Sequence, residues 1–309
     1  MGSSRWDPAE WASYSSTVSS KSTDEIFTSR SMNADLDPKG VAMRESRDSD
    51  HNPESTAVIV ACDVTGSMGM LADNLIREGM GTLFEEIIER KPVSDPHVMA
   101  MAIGDATMYD SAPLQVSQFE ADLTIVDQLQ SVYIEGGGGG NSFESYDLPM
   151  YFAAYHTSID CFEKRGKKGY LFTLGDENAP PCTTRASVEK FIGDDGLQAD
   201  IPMKDVVEAA QKMYNVFHII VAEGYYASNN LDKVRSSWNA VLGQNVIVLS
   251  DYTKLAEVIV SIMEVNEGRS AEEVAGSWSG DTSMVVADAV KDMTANEAFD
   301  KAMGGVTRF

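Results

Sequence analysis

Polar and apolar positions divide the chain into three parts. Residues 1–55 are rich in Ser, Asp and Arg and show little apolar periodicity. Their bulky anchors are Trp6, Trp11, Tyr14, Ile26 and Phe27. Such a stretch predicts an extended arm that wraps a domain or docks on a partner, against the alternative of a loose leader. From Ala57 the pattern changes. AVIVACD at 57–63 is an apolar run that ends in an acid, as a strand buried on both faces does. Residues 68–90 then place Leu71, Leu75, Ile76, Leu83, Phe84, Ile87 and Ile88 on one helical face, and Pro92 closes the helix.

The same alternation continues along the chain. Strands are predicted at 97–105, 169–176, 216–223 and 245–250, with an antiparallel edge strand at 114–119. Helices are predicted at 121–132, 146–162, 186–192, 203–214, 231–242 and 253–267. Apolar strands alternating with amphipathic helices specify an α/β, doubly wound, mostly parallel sheet with helices on both faces. The expected domain covers 56–267. A linker and a helical segment at 284–303 complete the chain within 268–309, packing on the domain or on a partner. No internal repeat is present.

Composition narrows the function classes. The chain of 309 residues carries 48 acidic and 24 basic residues, a formal net charge of −24. That excess argues against a general nucleic-acid binder and against docking on an anionic membrane. Cys62, Cys161 and Cys182 form no closely spaced pair, which argues against a disulfide framework or a structural zinc site. No apolar run approaches a membrane span, and the first twenty residues have no secretory core. These features predict a cytoplasmic protein.

The chemistry gathers where strands end. In an open α/β sheet, ligands bind beyond the carboxyl ends of the strands, at the switch point. The first long strand ends in Asp63-Val64-Thr65-Gly66-Ser67, the second in Gly104-Asp105, and the strand at 169–175 in Asp176. A run of five glycines at 136–140 leads into Asn141-Ser142. Carboxylates, hydroxyls and an amide at one edge suit a hard divalent cation of the Mg²⁺ or Mn²⁺ kind. Asp63 and Asp176 could instead be ordinary helix-capping acids. The glycine run has no following Gly-Lys-Ser/Thr, so it fails as a phosphate cradle. Thr65 stands where a serine-hydrolase elbow needs glycine. His218 lies inside an apolar strand and reads as a core histidine, and Cys62 as an inert core thiol.

At these residues the sequence resembles the von Willebrand factor A (vWA) family, in its intracellular bacterial and phage form. Asp63-Val64-Thr65-Gly66-Ser67 is similar to the D-x-S/T-x-S core of that family's metal-ion-dependent adhesion site. Gly138-Gly139-Gly140-Asn141-Ser142-Phe143-Glu144 is similar to a GGGD-x-PE second segment, and Leu174-Gly175-Asp176-Glu177 to the third. The resemblance implies metal ligation by Asp63, Thr65, Ser67 and Asp176, with Asn141 or Ser142 as the second-segment ligand. Asp105 and Glu177 stand behind them as supporting acids. It implies Mg²⁺, with Mn²⁺ or Ca²⁺ as substitutes. It further implies a non-enzymatic adaptor that binds a partner's Asp or Glu through the metal, working with an AAA+ ATPase of the MoxR type. The rival expectations are a homo-oligomeric assembly protein whose metal braces the fold, and a metal-dependent phosphohydrolase, which lacks an evident general base.

Overall fold

The computed structural model describes residues 4–108, 110–137 and 140–294, and of Ser67 the backbone alone. The arm contains helices α1 (Pro8–Val18) and α2 (Thr23–Ile26) and strand β1 (Arg44–Ser46). The domain then opens with β2 (Thr56–Asp63), α3 (Gly69–Asn74), α4 (Met80–Arg90), β3 (Pro96–Ile103), β4 (Leu114–Val116) and α5 (Thr124–Gln130). It continues through α6 (Asp147–Tyr155), β5 (Thr157–Ile159), α7 (Asp160–Glu163), β6 (Gly169–Gly175), β7 (Cys182–Thr183), α8 (Arg185–Phe191), β8 (Ile201–Pro202) and α9 (Met203–Ala210). The last elements are β9 (Tyr214–Val221), α10 (Tyr225–Leu242), β10 (Val246–Leu249), α11 (Leu255–Asn266), α12 (Ala271–Gly276) and α13 (Gly280–Val290).

Six strands form one sheet in the order β10-β9-β6-β2-β3-β4. All neighbours are parallel except β4, which runs antiparallel to β3. The expected α/β architecture and its antiparallel edge are therefore present. Because β2 to β4 extend one way and β6 to β10 the other, the order reverses between β2 and β6. That crevice is the switch point.

Strand side chains alternate between two cores. Val58, Val60 and Cys62 of β2 join the helices α3, α4, α5 and α11 on one face. Ala57, Ile59 and Ala61 join α6, α9 and α10 on the other. Both layers are closed by aromatic or branched side chains, among them Phe84 and Phe172 on the first and Trp238 on the second.

The arm packs along the first core. Trp6 stacks on Phe84 with ring centroids 4.4 Å apart. Trp11 lies so close to Gly81 that a Cβ there would meet its ring at 2.0 Å, which requires glycine. Arg77 donates to the carbonyls of Val18 and Lys21, each at 2.8 Å. This anchoring falls on a π-helical turn, Leu75–Gly79, between α3 and α4. The predicted helix at 68–90 is thus a composite of 3₁₀, α and π turns. Such π-bulges cluster at functional sites.

Three other helix predictions need correction or completion. The helix expected over 146–162 ends at Tyr155; His156 leaves helical geometry, and Thr157–Ile159 pairs in parallel with β1 of the arm. Local periodicity could not anticipate a pairing partner more than a hundred residues away. The helix expected at 231–242 is the second part of α10: Asn230 is non-helical (φ −138°, ψ 25°), and a short helical stretch from Tyr225 precedes that kink. The C-terminal segment forms α12 and α13, which pack on α11; Trp278 Nε1 donates to Ser261 at 2.8 Å. The remainder of the helix expected at 284–303 lies outside the described residues beyond 294. Among the described residues, no helix is long and apolar enough to cross a membrane.

Candidate metal centre

The site is assembled from the ends of β2 and β6. Asp63, fully buried, closes β2 and accepts from the Thr65 backbone N–H at 2.8 Å and the Thr65 hydroxyl at 2.6 Å, both on Oδ1. Its Oδ2 accepts from the Tyr146 hydroxyl at 2.8 Å. Tyr146 reaches across β6 because residue 175 is glycine: a Cβ there would stand 2.1 Å from the tyrosine oxygen. Gly66 turns the loop with a positive φ of 42°, and its N–H donates to the Gly137 carbonyl at 2.7 Å. That bond ties the first loop to the glycine run.

Asp176 follows β6 and is also buried. Its Oδ2 accepts the backbone N–H of Tyr226 at 2.7 Å, at the start of α10. The acid thus caps that helix from a neighbouring strand and sits against its positive dipole end. Gly224 permits the approach, since a Cβ would lie 2.3 Å from Asp176. The capping alternative therefore describes part of what Asp176 does, whereas the Asp63 carboxylate closes a turn on Thr65.

Asp176 faces a cleft of about 530 Å³ whose lining also includes Thr65, Ser142, Glu144, Glu177 and Tyr226; Asp63 is bonded to Thr65 of that lining but is not itself part of it. Three of its lining residues are carboxylates and none is Lys or Arg. Glu144 is 2% exposed, accepts from Thr65 Oγ1 at 3.2 Å, and has a second oxygen with no hydrogen-bond partner. Glu177 Oε2 is likewise buried without one.

The electrostatics follow from that arrangement. Burial pushes Glu144 up to about 9, reinforced by the charges of Asp63, Asp105 and Glu177. Burial and the charges of Asp176, Asp63 and Asp105 raise Glu177 to about 7. Asp63 reaches about 7 through burial, although the bonds from Thr65 and Tyr146 pull it down. Asp176 is raised by burial against its helix-capping bonds.

The other expected residues are distributed around this cleft. Asn141 Nδ2 donates to Asp105 Oδ2 at 2.7 Å and Thr107 Oγ1 at 2.9 Å. Asp105 repeats the Asp63 turn, accepting from the Thr107 N–H and hydroxyl at 2.8 and 2.6 Å. Asn141 is absent from the cleft lining, whereas Ser142 belongs to it, with a positive φ of 66°. The Ser67 side chain lies outside the described residues, as do Gly138 and Gly139. Glu144 and Tyr146 are the participants that sequence reasoning did not select. Glu144 stood in view as the last residue of the second segment; Tyr146 left no sequence signal.

The resemblance implies a divalent cation, and the residues fit one. The donors are all oxygen, two buried carboxylate oxygens lack partners, and no lysine or arginine lines the cleft to balance the acids. Among the described residues, no three His, Cys, Asp or Glu side chains converge as a metal-holding group. Carboxylates alone therefore do not assemble such a group here.

No protein-family model matches the chain. No curated protein matches it. Solved structures do. The chain is similar in fold to a von Willebrand factor type A protein. That protein, from Catenulispora acidiphila, is 13% identical with a TM-score of 0.39, covering 71% of this chain and 44% of that one. The pilus adhesin SpaC from Lactobacillus rhamnosus GG, in its open conformation, is 10% identical with a TM-score of 0.45, covering 74% and 31%. Proximal thread matrix protein 1 from the mussel byssus is 10% identical with a TM-score of 0.39, covering 68% and 47%. This chain spans less than half the length of each. Likeness at this level assigns no partner, ligand or metal.

Proposed function

We propose that the chain is a metal-dependent protein-interaction module and not an enzyme. The observation that carries this reading is the cleft at the switch point, where Glu144, Asp176 and Glu177 line one cavity without a cationic side chain. Asp63, Thr65, Ser67 and Asp176 would hold a Mg²⁺-class ion, with Ser142, which lines the cleft, or Asn141, whose Oδ1 is buried without a partner, as the second-segment ligand. The bound ion would supply an open coordination position that attracts a partner's Asp or Glu carboxylate.

The chain's own groups do the rest. Tyr146 orients Asp63 by donating to Oδ2. The backbone N–H at the start of α10 fixes Asp176. Tyr225 stands at the cleft, 81% exposed, where it can contact an incoming surface. The module is taken as residues 56–267, acting as a cytoplasmic adaptor, and an AAA+ ATPase of the MoxR type is the partner class to test first. Affinity capture with the full chain tests the reading: capture of a partner should require Mg²⁺ and fail in EDTA and with Asp63→Asn. Capture unchanged by both treatments overturns it.

A further inference from the structure

The sheet's other end has the opposite chemistry. The amino ends of β2, β6 and β9 open on a cavity of about 590 Å³ lined by Lys91, Arg165, Lys167 and Lys168, with Asn215 and Asn266 beside them. Arg165 is committed to Asp48 at 2.8 Å and to the Ser55 carbonyl at 2.6 Å. Lys91, Lys167 and Lys168 are exposed, and among the described residues no ion pair holds them. The acids of the rim are Glu54 and Glu267, and Glu267 already accepts from the Tyr170 hydroxyl. An adjoining cleft of about 410 Å³ shares Lys168, Asn215 and Asn266 and adds the amides of Gln211, Gln244 and Asn245.

In a chain of net charge −24, this is a local reversal of sign. Each ammonium offers three N–H donors and each side-chain amide two. Asn266 Nδ2 already donates to the Tyr170 hydroxyl at 2.9 Å and Asn245 Nδ2 to the Val216 carbonyl at 3.0 Å, which leaves the lysines and the Gln211 and Gln244 amides as the main donors. Donors spread over two adjoining clefts match several carboxylates in a row better than one compact anion. A flexible peptide can reach them without bringing a larger charged body against the rest of the acidic surface. At about 0.15 M salt the Debye length is about 8 Å, so distant acids are screened while contact pairs persist.

We propose that the amino-terminal end of the sheet docks an acidic peptide segment of a partner protein. Lys91, Lys167 and Lys168 meet its Asp or Glu side chains, and the amides of Gln211 and Gln244 bond the remaining oxygens. This face is separate from the cation cleft and does not need it.

Fluorescein-labelled hexaglutamate, titrated with the full chain in EDTA at about 0.15 M salt and followed by anisotropy, tests the proposal. EDTA keeps the readout independent of the cation reading at the opposite end. Saturable binding is expected despite the like net charges, weakened roughly tenfold by K167E/K168E and unchanged by Lys204→Glu, a distant exposed lysine. The substituted lysines are exposed, and circular dichroism verifies that the fold survives. Any of these results overturns the proposal: no binding up to about 1 mM protein; equal binding by the double variant; or a lysine-dependent rise in mass without peptide, which makes the occupant a second copy. Binding of inorganic phosphate without binding of the peptide also overturns it.

Discussion

The two ends of one parallel sheet treat the same side chains in opposite ways. At the amino end, Asp160 is 3% exposed in its side chain and meets Arg47 at 2.9 Å and Lys164 at 2.6 Å. Burial opposes its charge, but the bonds from Lys164, the Asp48 N–H and Arg47 prevail and hold it below the ordinary carboxylate range. Asp48 follows the same logic with Arg165, Ser55 and Lys164. At the carboxyl end, Glu144 is as deeply buried and meets acids, so it is pushed up to about 9. Burial alone therefore does not decide a carboxyl group's charge; its neighbours do. One end is neutralised internally, with lysines to spare. The other gathers Glu144, Asp176 and Glu177 around one cleft with no lysine or arginine in its lining.

The largest expected effect that sharpens this contrast comes from pH. His97, at the amino end of β3, is buried against Ser46, and burial pushes it down to about 4 while nearby acids only partly offset that. Its folded value lies below its unfolded one. As pH falls below about 6.5, the unfolded chain takes the His97 proton first, so this group alone withdraws about 3 kcal/mol of stability by about pH 4. The raised acids Glu144, Glu177 and Asp63 act in the opposite direction, so the difference in urea midpoint between wild type and His97→Gln across that range isolates the His97 slope.

Next come paired neutralisations. Asp160→Asn removes charge-assisted bonds and should cost about 2 kcal/mol. Glu144→Gln removes a carboxyl group crowded by acids and should raise the stability of the metal-free protein by about 1 kcal/mol. Denaturant unfolding of both in EDTA checks the signs. Losses at both sites would dissolve the contrast between the ends.

How much of this was legible in sequence depended on distance along the chain. The strand ends at Asp63 and Asp176 were legible because an apolar run into an acid is a local signal, and the order of elements then placed both at the switch point. The arm's seat was not, because Trp6 and Trp11 find Phe84 and Gly81 only in the folded chain. The strand at Thr157–Ile159 was hidden for the same reason, its partner being β1. The short helical stretch before the Asn230 kink of α10 was masked by the polar run after Tyr226, and it is capped by Asp176 from another strand. Asn141 was singled out by its place after the glycines; its amide nitrogen serves Asp105 and Thr107, while its Oδ1 is buried without a partner.

The central claim is that the acidic end binds a divalent cation. Calorimetric titration of Mg²⁺ into the metal-free full chain near neutral pH tests it most directly. One saturable site is predicted, lost in Asp63→Asn and retained in K167E/K168E, with stability raised by about 2.7 kcal/mol at a hundredfold excess over the dissociation constant. Absence of saturable binding up to about 10 mM, or undiminished binding by Asp63→Asn, would contradict it.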